Sequence, residues 1–410
     1  READEATAYA GIWDAPQPDA HRAMLAAAGF DAPDTLVSLL TTTRNSHRYT
    51  ALPATSRARF DLLVPRLMCA AVENPGNAGV QATFVRLLAL LEAVSRRSVY
   101  LALLIEHPPL LPRIAQLFGA SAWAADYLSR HPMLLDELLD ARTLLAASDW
   151  DAWRRELDTA MAARPDDTEW QMDALRHFKH AQTFRLLAQD LAGALTIERL
   201  ADHLSALADI VLDATLRACW RQMAGADVGA PQFAIVAYGK LGGKELGYAS
   251  DLDLVFIYDV AGDDAARDTA AAQFARLAQR INTWLTSITP AGELYATDLR
   301  LRPDGAAGLV CTSLAAFRRY QQQSAWTWEH QALTRARGAA GDARLCTEFE
   351  AARVEILCKP RDLASLARDV TDMRRRMADG HPNRSERFDV KHDHGGMVDI
   401  EFVVQYLVLG

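Results

Sequence analysis

Apolar and polar positions change period partway along this chain. From about residue 20 to 195, apolar residues recur at helical spacing: Phe84, Leu87, Leu88, Leu91 and Val94 in one stretch, Leu186, Leu187, Leu191 and Leu195 in another. Strand signal is slight there, and Pro and Gly fall mostly between the runs, so the spacing predicts a helical bundle. Glu106-His107-Pro108 and Arg130-His131-Pro132 echo one another, each before a Leu-rich run. Two helix openings with Pro just inside account for the echo, and two copies do not make a solenoid. Residues 197–224 predict a further helix, with Leu200, Leu204, Leu207, Ile210, Val211 and Ala214 on one side.

Gly225 to Pro231 breaks that pattern. Phe233 to Tyr238 then reads as a buried strand, followed by a Gly-rich turn and a second apolar run, Asp251 to Tyr258. A helix through Phe274, Leu277, Ile281, Leu285 and Ile288 leads to an alternating run, Glu293 to Pro303. Strand, turn, strand, helix, strand predicts an α+β core with helical wings. Thr312-Ser313 reads as a helix cap, with Phe317, Tyr320, Trp328 and Leu333 on the helix it opens. Trp326 and Trp328 read as packing residues rather than a base-stacking platform. Asp362–Met377 predicts a charged helix, Phe388–Lys391 a short strand and Asp399–Leu409 an apolar helix. The pattern divides the chain into a helical domain, 1–195, a catalytic domain, 196–345, and the start of a C-terminal helical domain, 346–410.

The candidate chemistry lies in the second apolar run. Side chains alternate along a strand, so Asp251, Asp253, Val255 and Ile257 share one face. Two carboxylates so placed repel each other and cost desolvation unless a cation sits between them. Hard oxygen ligands suit Mg²⁺, which takes one or two carboxylates plus substrate phosphates. The glycines just before them, Gly242 and Gly243 among them, allow backbone N–H groups to approach a phosphate closely. A lone Asp-x-Asp is commonly a solvated turn; it is the setting between two strand-like runs that points to transfer from a nucleoside triphosphate. A Walker-type loop is excluded, because neither Gly239-Lys240 nor Gly243-Lys244 precedes Ser or Thr. In the third run Asp298, Arg300 and Arg302 share a face. Beside the Asp251 strand, they would bring a third acid to two metals and two guanidiniums to a triphosphate. A salt-bridged edge strand is the competing reading.

These motifs resemble the bacterial glutamine synthetase adenylyltransferase/adenylyl-removing family, whose catalytic cores are DNA polymerase β-like nucleotidyltransferases. The resemblance rests on Gly239-Lys240-Leu241-Gly242-Gly243-Lys244-Glu245-Leu246, Ser250-Asp251-Leu252-Asp253-Leu254, Asp298-Leu299-Arg300-Leu301-Arg302-Pro303 and Gly395-Gly396-Met397-Val398-Asp399-Ile400-Glu401-Phe402. It extends over the whole chain, and Tyr238-Gly239-Lys240, Gly305–Gly308, Ala325–Leu333 and Val398-Asp399 point to the C-terminal, adenylylating half. It implies that ATP donates AMP to a tyrosine hydroxyl of glutamine synthetase, with diphosphate released, regulating nitrogen assimilation. Asp251 and Asp253 would hold two Mg²⁺ ions; Asp298 would share one and help deprotonate the tyrosine. Lys240, Arg300 and Arg302 would meet the triphosphate, with Gly242, Gly243 and Ser250 at the nucleotide. PII signalling protein and glutamine are the implied partner and effector. The alternatives are the adenylyl-removing phosphorolysis, or a non-catalytic module sensing PII or glutamine. The family continues into further helices beyond Leu407-Val408-Leu409-Gly410, so the chain resembles a fragment lacking a C-terminal bundle.

Composition narrows the partners. A net charge of −9 and a pI near 5.7 do not suggest generic nucleic-acid binding. Five scattered cysteines without Cys-x-x-Cys spacing suit reduced cytosolic thiols. No secretory leader is expected at Arg1 to Thr7, and no apolar run approaches the length of a membrane span, so a cytoplasmic protein without membrane contact is expected. Arg176, Lys179, His180 and Arg185 read as a solvated basic helix face, with a triphosphate contact as the alternative. His177 and His180 have metal-compatible spacing, but nothing nearby completes a zinc site. Lys391 and the Gly395-Gly396 turn, before a helix N-terminus, are candidates for a phosphate or protein-substrate contact.

Overall fold

A computed structural model of the chain describes residues 9–225, 228–260 and 264–410. The chain forms two compact units, one of residues 1–147 with 180–196, the other of 148–179 with 197–410. Among the described residues, no helix is long and apolar enough to cross a membrane.

The first unit is helical, as its spacing predicts. Helix α1 (Ala54–Glu73) and helix α2 (Val80–Val94) pack together, and the run Phe84, Leu87, Leu88, Leu91, Val94 is buried along α2. Each fully buried Leu or Phe contributes about 1.5–3 kcal/mol relative to exposure. At both His-Pro echoes a helix ends on the histidine, after Glu106 and after Arg130, because the residue before Pro avoids the helical region. His131 also has a packing role. His180, on helix α3 (Thr168–Leu191), stacks on it at 3.8 Å and shares a 2.6 Å hydrogen bond with the Tyr127 hydroxyl. Arg185 pairs with Glu137 at 2.8 Å. These residues are therefore core and clasp, not the solvated basic face that the spacing predicts.

The second unit holds a small mixed sheet among helices, the α+β core expected. Helix α4 (Ile197–Ala224) precedes β1 (Phe233–Ala237), the single helical turn α5 (Gly239–Gly242), β2 (Leu252–Tyr258) and α6 (Asp264–Thr286). Then come β3 (Thr297–Asp298), β4 (Cys311–Ser313), α7 (Leu314–Gln323), α8 (Thr327–Leu333), β5 (Arg337–Gly341), α9 (Ala343–Leu357), α10 (Leu363–Gly380) and α11 (Met397–Leu409). Strand order is β3-β2-β1-β5, with β4 also on β2. Strands β1 and β2 run antiparallel, Phe233 opposite Tyr258 and Ala237 opposite Leu254, whereas β3 and β4 lie parallel to β2.

Both sheet faces are covered. Val255 and Ile257 of β2 join Ala234, Val236 and Tyr238 against Phe317, Leu333 and Phe349 of α7, α8 and α9. On the other face Phe233 stacks near Phe256 and Phe274. That double burial explains why the strands read as continuous apolar runs.

Several expected elements are redrawn. The alternating run Glu293–Pro303 is a strand only at Thr297–Asp298, and then turns. Ile288 lies beyond α6 and is 83% exposed. Phe317 and Leu333 sit on two helices, not one, and Trp326, at the start of α8, is 71% exposed rather than packed. Phe388–Lys391 is not a strand but runs into a turn at Val390 and Lys391, with Asp389 accepting from the Lys391 amide at 2.8 Å. The Ser313 cap is as expected, its side chain accepting from the Ala316 amide.

Candidate active site

The apolar face of β2 ends in charge. Asp253 precedes Val255 and Ile257 on the same face, and exposed Asp251 stands just before the strand. The parallel register places Asp253 opposite Asp298 on β3, with the Leu252 amide donating to the Ala296 carbonyl at 3.0 Å. Three carboxylates thus come to one end of the sheet, the placement expected if the third run lay beside the Asp251 strand. Burial, followed by the charges of Asp251 and Asp298, pushes the Asp253 carboxyl up to about 6.

Asp298 is in the opposite state. Its carboxylate accepts from Arg300 through Nε at 2.9 Å and Nη2 at 2.5 Å, and from the Arg300 amide at 2.8 Å. These hydrogen bonds hold it below the usual carboxylate range, and the amide contact forms the Asx turn that ends β3. Arg302 folds into its own loop, its guanidinium donating to the carbonyls of Leu299, Ala306 and Gly308. The face shared by Asp298, Arg300 and Arg302 in an extended strand is therefore not formed.

Glycine is needed at two places in the turn before β2. Gly239 has φ +54°, and a Cβ there would lie 2.2 Å from Asp253 Oδ2. A Cβ on Gly242 would lie 1.9 Å from the Arg335 carbonyl oxygen. Gly242→Ala is expected to destabilise the protein by about 1–3 kcal/mol through backbone displacement, read as a lower denaturant midpoint; an unchanged midpoint would refute this close fit. The amides of Gly242 and Gly243 donate within the turn, to Tyr238 and Gly239 carbonyls at 2.9 and 3.0 Å. At these positions the glycines answer a packing requirement, not a need to present N–H groups. Lys240 is exposed on α5, and Ser250 Oγ accepts from the Gly247 amide at 3.1 Å, closing the loop that delivers Asp251.

Two arginines, Arg335 on the α8–β5 connection and Arg337 at the start of β5, hold this turn, and no sequence signal marked them. Arg335 ion-pairs with Glu245 and with Glu401 of α11, each at 3.0 Å. Arg337 clasps Asp209 of α4 through two bonds of 2.8 and 3.0 Å and donates to the Leu241 carbonyl at 3.1 Å. Burial pushes Asp209 up to about 6 despite that partner. Asp209→Asn is expected to cost about 1–3 kcal/mol, as the opposite charge is lost and the amide NH2 cannot accept one of the two Arg337 bonds. The check is thermal unfolding near neutral pH, and an unchanged midpoint would show the pair to be dispensable.

The donor set fits a hard divalent cation. Asp251 and Asp253 supply oxygen ligands, and the raised carboxyl of Asp253 marks negative charge that a cation would relieve. Among the described residues, no three His, Cys, Asp or Glu side chains stand close enough to hold a metal as they are, with Asp298 engaged by Arg300.

The other basic candidates lie elsewhere in the core. Arg176 is fully buried and donates to the carbonyls of Met172, Trp284, Ser287 and Gly292, tying α3 to the segment after α6. Lys179 lies over the Tyr295 ring at 4.9 Å, and burial pushes its amine down to about 8. The Gly395 amide donates to Asp399 at 2.6 Å, and Arg374 also binds Asp399. The anion at that helix start is thus the chain's own carboxylate rather than a bound phosphate.

Comparison with known proteins fits this geometry. A model of the glutamate-ammonia ligase adenylyltransferase family matches residues 111–352. The bifunctional glutamine synthetase adenylyltransferase/adenylyl-removing enzyme of Aromatoleum aromaticum is 55% identical over 359 residues, 88% of this chain and 37% of the relative. Those of Chromobacterium violaceum and Ralstonia nicotianae are 52% and 49% identical, over 94% and 98% of this chain and 42% of each relative. The chain therefore spans about two-fifths of the length of these curated relatives. With a family match running from the first helical unit through the carboxylate strands to α9, the chain belongs to the glutamate-ammonia ligase adenylyltransferase family.

Proposed function

We propose that this chain carries the adenylylating site of such an enzyme: AMP passes from ATP to a tyrosine hydroxyl of glutamine synthetase, and diphosphate leaves. The single observation that supports it most is Asp253, between Asp251 and Asp298 at the open end of β2 and against Gly239 of the turn. Asp251 and Asp253 would hold Mg²⁺, with Asp298 joining them. Bound Mg²⁺ supplies charge stabilisation to the attacking and leaving oxygens and orients the triphosphate.

In the transfer, a bond forms between the tyrosine oxygen and the α-phosphorus, and the bond from that phosphorus to the diphosphate oxygen breaks. The phenol proton, at an ordinary pKa near 10, needs an acceptor, and Asp298 is the carboxylate we assign to it. Clasped by Arg300, Asp298 is a poor base, since its anion is already stabilised. We therefore assign Arg300, which is exposed, a second position on the triphosphate. Its departure frees Asp298 to accept the proton. Lys240, exposed one residue after Gly239, is assigned to the same phosphates, with Gly242, Gly243 and Ser250 shaping the turn beside them. Arg302, held in its loop, orders the segment after Asp298.

The names of the relatives carry a second activity, adenylyl removal, which the same carboxylates would serve by phosphorolysis. Incubation with ATP, Mg²⁺ and unmodified glutamine synthetase tests the first reading, with tyrosine modification read by mass. Phosphate with adenylylated glutamine synthetase tests the second. AMP gain in the first arm alone is expected; AMP loss in the second arm alone would reverse the assignment. Regulation of nitrogen assimilation by PII and glutamine, in the cytoplasm, belongs to the same proposal without a residue assigned to either.

A further inference from the structure

Of the two guanidiniums after β3, Arg300 reaches the triphosphate only by leaving Asp298, and Arg302 stays on its loop carbonyls. A different guanidinium stands against the glycine turn. The Arg335 carbonyl oxygen is the atom that a side chain on Gly242 would strike, and its Cδ would lie 3.2 Å from a Cβ on Gly243. Its charge also acts on Asp253. Backbone and side chain of Arg335 are thus fitted to the two glycines one helical turn from the carboxylates.

The way Arg335 is held matters. Nη1 makes both ion pairs, to Glu245 and to Glu401, and among the described residues Nε and Nη2 make no hydrogen bond. That is the edge with which a guanidinium grips a phosphate through two parallel bonds. The side chain is 25% exposed and lines a cavity of 330 Å³ together with Glu245 and Glu401, its two ion-pair partners, and Met397, Ile400 and Val404 of α11.

We propose that Arg335 binds the polyphosphate of the nucleotide, its free Nε and Nη2 edge taking phosphate oxygens while Glu245 and Glu401 hold Nη1 in place. The assignment rests on the adenylyl-transfer reading, because that reading supplies the triphosphate. Glu401 then has a definite effect: its charge competes with phosphate for the guanidinium. Removing that charge strengthens phosphate binding, the opposite of what loss of a structural ion pair does.

The test is calorimetric titration with magnesium tripolyphosphate, which carries no base or ribose, beside thermal unfolding of each preparation. Arg335→Ala is expected to bind at least about tenfold more weakly than the unaltered chain. Arg335→Lys should fall between them, since an ammonium is a point charge without the planar fork. Glu401→Gln should bind several-fold more tightly. Arg335→Ala binding as well as the unaltered chain would overturn the proposal, as would Glu401→Gln binding equally or more weakly; the latter marks a strut. Failure of the unaltered chain to bind magnesium ATP would be seen before any variant is compared. That result would overturn the adenylyl-transfer reading itself.

Discussion

Asp253→Asn will lower AMP transfer by about 10²–10³-fold or more, the scale on which loss of one preorganised charge-stabilising group acts, while the protein remains folded. Asp253 is the carboxylate set deepest at the end of the β2 face, between Asp251 and Asp298. Outer-shell partners of metal ligands alone cost about 10–100-fold, so a ligand should cost more. The same change carries a stability signature with a definite sign. A carboxyl raised to about 6 in the folded state binds more protons there than in the unfolded chain. Stability is therefore lost as pH rises from about 4 to about 6, because slope follows the difference in bound protons. Without metal, the unaltered chain should lose more stability than Asp253→Asn between these pH values. Thermal unfolding at pH 4.5 and 7 measures this, beside single-turnover transfer with saturating Mg²⁺. Near-normal transfer would remove Asp253 from the metal site, and identical pH dependence would show that its burial is relieved by other means.

Asp298→Asn separates an acid that assists transfer from one that only neutralises Arg300. The Arg300 side chain is 79% exposed, so its ion pair adds little to stability. The variant should unfold close to the unaltered protein. If Asp298 accepts the tyrosine proton, transfer should fall by about 10²-fold or more, within the range for general-base catalysis. Binding of magnesium ATP should stay within about tenfold, because the missing interaction belongs to the transition state. Single-turnover transfer per ATP-bound molecule is the deciding quantity. A variant that unfolds earlier yet transfers at the normal rate would leave Asp298 with a structural role only.

Much of the core was legible in the sequence because the relevant signals are local. Phe233–Ala237 and Leu252–Tyr258 read as buried strands because both sheet faces are covered, so neither run alternates with polar residues. The period of two placed Asp253 on the face of Val255 and Ile257, and the strand register set it opposite Asp298. Helix α4 was readable over its full length from a single apolar stripe.

What failed to read locally depended on partners far along the chain. Alternation alone continued a strand through Arg302, but the Asp298 carboxylate captures the Arg300 amide and ends the strand after only two residues, Thr297 and Asp298. Arg176 resembles a solvated cation on its helix, yet carbonyls 108 to 116 residues away surround it. Arg335 and Arg337 carry no motif, and their place at the glycine turn comes from β5 pairing with β1, which sets the α8–β5 connection against Gly242. The sequence by itself determined the two central strands β1 and β2, the helical wings and the carboxylates, because period and residue type act over a few positions; β4 and β5 carry no such period and were not read. Tertiary structure decided which cations meet those carboxylates, because a guanidinium on a long side chain takes whichever acceptors the fold brings within reach.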